Sequence, residues 1–235
     1  MSVCASRAAP ARRTVTSQRL PGPASLAAEG ANPEFQMTYA NSRQADHPID
    51  TVFLERWSPR ALSGAEISEE ELLTLLEAAR WAPSAFNIQP WRFIYARRGT
   101  PFWDKVLGVL NPFNQSWAKN ASALVIVLSS SMVRAPGADH DTPSYSHSFD
   151  AGAAWSALAH QAVKSGWHVH AMTGVDFDKA RADLAVPEVY RIEAAIAIGK
   201  LGDKSILPES LQAREQPSPR KPLSEIAFEG SFPAA

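Results

Sequence analysis

Two guanidinium groups and one hydroxyl alternate along the segment Arg56-Trp57-Ser58-Pro59-Arg60. In an extended backbone every second side chain points the same way, so the two arginines and the serine would meet one ligand. This set suits a phosphate group, which carries about −1.5 to −2 charges near pH 7 and accepts several charge-assisted hydrogen bonds. A solvated loop whose arginines pair with Glu55 or Glu66 explains the same spacing, so both interpretations stay open.

The segment from Ala82 to Trp91 mixes small residues, prolines and the primary amides of Asn87 and Gln89. Small side chains let a flat ring approach the backbone, and primary amides pair with a heterocycle that has both donors and acceptors. An ordinary connecting loop, whose amides bond to its own backbone, has the same composition. The length of the segment and its amide content favour a binding loop by a modest margin.

Composition excludes several classes of protein. The chain has 235 residues, of which 45% are hydrophobic, and its formal net charge of −1 argues against binding nucleic acid by overall charge. No apolar run reaches the roughly 20 residues of a membrane span. The single cysteine, Cys4, excludes an internal disulfide and a zinc site of several cysteines. His168 and His170 share a face of a predicted strand without an evident third ligand, so no metal site is expected.

Apolar periodicity and capping residues predict alternating helices and strands. Ser68 and Glu71 form a capping box for the first helix. Asp150 is expected to cap a long central helix that stops at Gly166, and Asp176 to cap the next one. The predicted strands are Trp91–Tyr95, Ala123–Leu128, Trp167–Met172 and Ile192–Ile198, with a short helix over Phe102–Leu110. This alternation predicts an α/β or α+β sandwich whose sheet is mostly covered.

The two ends of the chain differ in composition from its middle. Residues 1–48 form a tail that begins Arg-rich and acid-poor; it is interpreted as disordered or as an organelle-targeting segment. Residues 49–202 form the predicted core domain, and residues 203–235 form a Pro-rich C-terminal arm. The large apolar residues of that arm must either fold back on their own domain or cross to a partner subunit. They are Leu223, Ile226, Phe228 and Phe232.

Several motifs in the same order resemble the nitroreductase family of flavin enzymes. They are Arg56-x-Ser58-x-Arg60, Ser84-Ala85-x-Asn87-x-Gln89-Pro90-Trp91, Asn114 with Trp117, Asp150-Ala151-Gly152, Met172-Thr173-Gly174 and Arg220-Lys221-Pro222-Leu223. The resemblance covers about residues 50–230 and rests on the order and spacing of the motifs. It implies an α+β three-layer sandwich, in which helices flank a mixed, mostly antiparallel sheet, and a homodimer with the flavin at its interface.

The resemblance also implies a set of FMN-binding residues. The phosphate and ribityl chain would be held by Arg56, Ser58, Arg60 and Arg220. The flavin ring would lie against Pro83, Ser84 and Ala85, with Gln89 near its polar edge. Asn87 is expected to reach the ring from the second subunit. The full set is Arg56, Trp57, Ser58, Arg60, Pro83, Ser84, Ala85, Asn87, Gln89, Asn114, Thr173, Gly174 and Arg220. Asn114 would approach the pyrimidine side, and the backbone at Gly174 would bond near flavin N5. The family often has an acidic residue where Thr173 stands and a lysine where Ser218 and Trp117 stand.

The function implied by the resemblance is electron transfer from NAD(P)H through FMN to nitroaromatic, quinone or other conjugated acceptors. Donor and acceptor would use one site in turn, which gives ping-pong kinetics, and flavin N5 rather than a catalytic side chain would carry the hydride. The chain has no GxGxxG fingerprint for a separate nicotinamide site. The alternatives are an azoline-type flavin oxidase or dehydrogenase and a non-catalytic flavin-binding protein. A cytoplasmic homodimer without nucleic-acid or membrane partners is expected.

Overall fold

The computed structural model of the protein describes residues 41–134 and 137–233. The first 40 residues of the predicted tail, with Cys4, therefore lie outside the described residues. The strands are β1 (Trp91–Arg97), β2 (Ala123–Ser130), β3 (Met132–Val133), β4 (Thr142–Pro143), β5 (His168–Met172) and β6 (Tyr190–Gly199). The helices are α1 (Val52–Glu55), α2 (Glu69–Arg80), α3 (Trp103–Leu107), α4 (Pro112–Ala118), α5 (His147–Lys164), α6 (Phe177–Asp183) and α7 (Glu209–Gln212).

Four of the strands form one antiparallel sheet in the order β1-β2-β6-β5. Strand β2 lies inside the sheet, and its residues from Ala123 to Leu128 are all buried, as the continuous apolar run predicts. Strand β5 pairs with β6 and forms one edge of the sheet. Strands β3 and β4 pair only with each other, in a short separate hairpin.

Helices cover both faces of the sheet, which gives three layers. On one face, Leu124 and Ile126 pack with Trp103 of α3 and Trp117 of α4. On the other face, Val125 and neighbouring residues pack with apolar side chains of α2 and α5. The predicted α+β sandwich with a mostly antiparallel sheet is therefore confirmed.

Local sequence signals account for the starts of α2 and α6. Ser68 caps α2, because its side chain accepts a hydrogen bond from Glu71 N while the Glu71 carboxylate accepts one from Ser68 N. Asp176 caps α6 by accepting from Lys179 N at 3.0 Å. Both predictions are confirmed.

The predicted cap of the central helix is wrong. Helix α5 begins at His147, with Ser146 at its N-cap position, so Asp150 lies within the first turn. The Asp150 carboxylate is buried and accepts hydrogen bonds from Ser146 Oγ at 2.9 Å and from Ala85 N at 3.3 Å. Asp150 therefore connects the helix to the loop before β1.

Among the described residues, no helix is long and apolar enough to span a bilayer.

Candidate functional site

Three arginines gather at the end of α1. Arg56 has an extended backbone (φ −67°, ψ 113°), and its Nη1 donates to Ser58 Oγ at 3.2 Å, so these two side chains meet as predicted. Burial, followed by the positive charge of Arg220, lowers the pKa of Arg56. Arg43, which no sequence motif includes, lies in the same cluster: its Nη1 donates to the Arg56 carbonyl at 2.7 Å and its Nε to the Ser218 carbonyl at 2.8 Å. Burial, then the charges of Arg220 and Arg56, lowers the pKa of Arg43. We call Arg43, Arg56 and Arg220 the arginine cluster.

The arginine cluster has no counter-charge within the described residues. None of the ion pairs within residues 41–134 and 137–233 includes any of these three arginines or Arg60. The alternative interpretation of the segment, a loop with salt bridges to Glu55 or Glu66, is therefore not observed in that part of the chain. Arg43 and Arg56 are half-buried and Arg220 is exposed. Like charges held close together repel each other, and an anionic ligand would relieve that repulsion.

Arg60 belongs to the neighbouring part of the site. Its guanidinium carbon lies 6.0 Å from the centre of the Trp117 ring, and its Nε is buried without a hydrogen-bond partner among the described residues. The backbone beside it is held by Glu215, a carboxylate that is only 3% exposed. Glu215 Oε1 accepts from Arg60 N at 2.6 Å and from Ala61 N at 2.8 Å. The C-terminal segment thus fixes the backbone of the Arg56–Arg60 segment.

Trp57 lies inside the protein rather than on the site surface. Its side chain is 3% exposed, and its ring centre is 6.4 Å from that of His168. The predicted motif therefore has three half-buried polar side chains and one buried aromatic side chain.

A second group of predicted residues meets at the end of β5. Asn114 is 7% exposed, and its Nδ2 donates to the Gly174 carbonyl at 3.1 Å. The same carbonyl accepts from Asn111 N at 3.0 Å, and Asn111 Oδ1 accepts from Asn114 N at 2.8 Å. A Cβ atom at Gly174 would lie 2.4 Å from the Nδ2 atoms of both asparagines, so only glycine lets these amides approach. Thr173, next to them, is exposed.

The predicted ring-binding loop forms a third group. Phe86, Asn87 and Gln89 have positive φ angles of 50°, 55° and 53°, which non-glycine residues seldom adopt. Ser84 Oγ accepts from Gln89 N at 2.9 Å, and Gln89 Nε2 donates to the Asn87 carbonyl at 3.1 Å. The loop is tied to α5 through Asp150, as described above.

Exposure is the common property of this loop. Pro83, Asn87 and Gln89 are exposed, while Ser84 and Ala85 are half-buried. Phe86 is 97% exposed, although it is a large apolar residue. Strained backbone and exposed apolar surface in one loop favour a role in contacting another molecule.

On β5, His168 is buried and His170 is half-buried. Burial, followed by the charge of Lys200, lowers the pKa of His168 to about 4. Burial, followed by the charge of Arg60, lowers the pKa of His170 to about 4, although its Nδ1 lies 3.0 Å from the Pro59 carbonyl. Within the described ranges, no three His, Cys, Asp or Glu residues are grouped to hold a metal ion.

These histidines predict a loss of stability in mild acid. In the unfolded chain both pKa values return to about 6.5, so as pH falls below that value the unfolded state binds protons that the folded state does not. The free energy of unfolding should fall by up to roughly 3 kcal/mol per histidine between pH 6.5 and pH 4, and this contribution should level off below pH 4. Urea unfolding at several pH values gives the free energy of unfolding as a function of pH. Between pH 6.5 and pH 4 this free energy should change less steeply in the double variant His168→Gln/His170→Gln than in the wild type. An equal pH dependence in both proteins would contradict the lowered pKa values of these histidines.

Comparison with known proteins identifies similar chains. The nitroreductase family model matches residues 54–200. A 15.4 kDa protein of Mycolicibacterium smegmatis is 34% identical over 150 residues, which cover 60% of this chain and 97% of that protein. An oxygen-insensitive NADPH nitroreductase of Helicobacter pylori strain J99 is 38% identical over 64 residues, which cover 27% of this chain and 30% of that enzyme.

Solved structures share the fold. The crystal structure of an oxidoreductase containing FMN superposes with a TM-score of 0.80 at 49% identity, and the match covers 85% of this chain and all (100%) of that one. A nitroreductase family protein from Clostridium difficile 630 gives a TM-score of 0.59 at 20% identity, covering 77% of this chain and 97% of that one. The second likeness concerns the fold alone.

Proposed function

Because this chain belongs to the nitroreductase family, we propose that it is an FMN-dependent oxidoreductase that transfers electrons from NAD(P)H to nitroaromatic compounds, quinones or other conjugated acceptors. The relative of 49% identity contains FMN, and the Helicobacter pylori relative is an NADPH nitroreductase, which supports the cofactor and the electron donor. The acceptor class is inferred from the family resemblance.

The observation that carries this proposal is the arginine cluster without a counter-charge. A phosphate monoester carries about two negative charges, and guanidinium groups bind it with strong charge-assisted hydrogen bonds. The residues present therefore fit the phosphate end of FMN. We assign the phosphate to Arg56, Ser58 and Arg220, with Arg60 beside them.

The Asn114–Gly174 group fits the polar edge of a flavin. An isoalloxazine ring presents donors and acceptors along one edge, and the Asn114 amide and the backbone near Gly174 offer complementary groups. Bound FMN would supply the redox chemistry, accepting a hydride from NAD(P)H and passing electrons to the second substrate. The protein residues bind and orient, and solvent can complete protonation beside the exposed Thr173.

We propose that the site is completed by a second subunit. Within one chain, the ring-binding loop bonds to its own residues, to Asp150 and to strands β1 and β2, where Arg92 Nη1 donates to the Gln89 carbonyl and Ser130 N to the Pro90 carbonyl. In a homodimer the partner's loop, with Asn87 exposed, would cover the flavin held by the other two groups. We also propose a cytoplasmic location, an N-terminal tail over residues 1–48, a core over 49–202 and a C-terminal arm over 203–235. The end of that tail contacts the core, because Arg43 donates to the carbonyls of Leu54 and Arg56. In that arm, Leu207 and Leu211 are buried in the hydrophobic core and Glu215 is buried against the Arg60 backbone, so its exposed part begins at Ser218.

The proposed function predicts that purified protein carries FMN, about one molecule per subunit. Heat-released cofactor should migrate as FMN in chromatography, and Arg56→Ala should weaken FMN binding by about 1.5–3 kcal/mol, the value of a charge-assisted hydrogen bond. Arg134→Ala is the matched control, because Arg134 is an exposed arginine that pairs with Asp141. NAD(P)H should bleach the flavin absorbance without oxygen, and a quinone should restore it.

Steady-state rates separate this function from its alternatives. Double-reciprocal plots at several quinone concentrations should give parallel lines, because donor and acceptor use one site in turn. Colourless protein that takes up no FMN would contradict the proposal as a whole. Bound FMN that NAD(P)H does not bleach would instead indicate an azoline-type oxidase or a non-catalytic flavin-binding protein.

A further inference from the structure

Arg43 joins the segment before α1, the end of α1 and the C-terminal segment. Its Nη1 donates to the carbonyls of Leu54 at 3.1 Å and Arg56 at 2.7 Å. Its Nε donates to the Ser218 carbonyl at 2.8 Å. The Arg43 guanidinium is therefore fixed between the end of α1, next to Arg56, and the C-terminal segment that leads to Arg220.

One end of this guanidinium has unused donors. A guanidinium has five N–H groups in a rigid fork, and the three bonds above use only those on Nε and Nη1. In the part of the chain that the structure describes, Nη2 donates to no acceptor. A side chain fixed in this way has lost its conformational freedom before any ligand arrives, so a further bond from Nη2 would cost little additional entropy.

The charge around Arg43 is all of one sign. Burial, then the charge of Arg220 and then that of Arg56, lowers the pKa of Arg43. Arg43 and Arg56 are half-buried and Arg220 is exposed. Three backbone carbonyls hold Arg43 beside these like charges, and such an arrangement favours a ligand with more than one negative charge.

We propose that Arg43 is a third phosphate-binding arginine, with Nη2 donating to the FMN phosphate while Nε and Nη1 hold the C-terminal segment against α1. This inference rests on the proposed function and deepens it by adding a residue that lies outside the predicted motif. It assigns Arg43 two tasks: it binds the phosphate, and it positions the segment that carries Arg220.

Binding of FMN and riboflavin to the apoprotein tests this role, because riboflavin is the same flavin without the phosphate. Both dissociation constants are measured by flavin fluorescence for wild type, Arg43→Gln and Arg43→Lys. The control is Lys204→Gln, which removes an exposed cation of the C-terminal segment. We expect Arg43→Gln to weaken FMN binding at least tenfold and riboflavin binding less than twofold, with partial recovery in Arg43→Lys. Lys204→Gln should behave as wild type.

The outcomes separate the two proposals. Equal weakening of FMN and riboflavin binding would show that Arg43 only holds the fold together, and would overturn its role at the phosphate. Wild-type FMN binding in Arg43→Gln would overturn that role while leaving the proposed function intact. A wild-type apoprotein that binds neither flavin would overturn both. Thermal unfolding of each apoprotein verifies that the variants are folded when binding is measured.

Discussion

Replacement of Gly174 by alanine is expected to weaken FMN binding by about 30- to 100-fold, corresponding to roughly 2–3 kcal/mol. The added Cβ would lie 2.4 Å from the Nδ2 atoms of Asn111 and Asn114, well inside the 3.0 Å that real Cβ contacts respect. Asn114 is buried and begins a turn of α4, so its amide has little free space into which it can move. The variant must therefore displace both amides or shift the Thr173–Val175 backbone, and either change disrupts the group assigned to the flavin edge.

Gly152→Ala is the matched control for this variant. A Cβ at Gly152 would meet no atom of the described residues within 4 Å outside the backbone of its own helix turn, so the substitution changes glycine to alanine without a clash. Fluorescence titration with FMN gives the affinities, and thermal unfolding of both apoproteins shows whether the folded state persists. Wild-type FMN affinity in Gly174→Ala would contradict the assignment of this group to the cofactor.

The parts of the fold that sequence predicted are those that neighbouring residues determine. A capping box needs only Ser68 and Glu71, three residues apart, and both bonds of the box form. Strand β2 follows from a run of apolar, β-branched residues long enough to be buried on both faces. The alternation in Arg56-x-Ser58 likewise brought two polar side chains to one place, because an extended backbone does so by itself.

The parts that sequence did not predict depend on distant contacts. Asp150 is an acidic residue near a helix start, but its partner is Ala85 N, 65 residues away. Glu215 is one glutamate in a polar segment, yet it is buried on the backbone of Arg60 and Ala61. Arg43 lies outside any periodic pattern, and only the folded chain places it beside Arg220. Such residues have no local signal, because their contacts form only after the rest of the chain is folded.

Deletion of residues 223–235 is expected to convert a dimer into a folded monomer that has lost its FMN. The deleted segment holds four of the large exposed apolar residues of the arm: Leu223 is 44% exposed, Ile226 61%, Phe228 40% and Phe232 83%. The shortened chain keeps Leu207 and Leu211, which belong to the core, and Glu215, which holds the Arg60 backbone. Loss of the arm therefore removes apolar contact surface without opening the core.

Light scattering should report about twice the chain mass of 25.5 kDa for the full chain and the monomer mass for the shortened one. A full-length double variant, Ile226→Ser/Phe228→Ser, should also weaken the dimer, because it removes apolar surface while keeping the length of the arm. Glu229→Gln is the matched control, since Glu229 is an exposed polar residue of the same arm. Circular dichroism of each variant verifies that the monomer is folded.

The expected loss of FMN follows from the proposal that the two subunits of the dimer share each flavin site. The arginine cluster and the Asn114–Gly174 group remain in the shortened chain, so a site built within one subunit would keep its flavin. A site that needs the partner's Asn87 loop would lose affinity together with the dimer. A shortened chain that remains dimeric would show that the arm does not hold the subunits together. A shortened monomer that retains FMN with unchanged affinity would show that the loop of the second subunit contributes no binding energy.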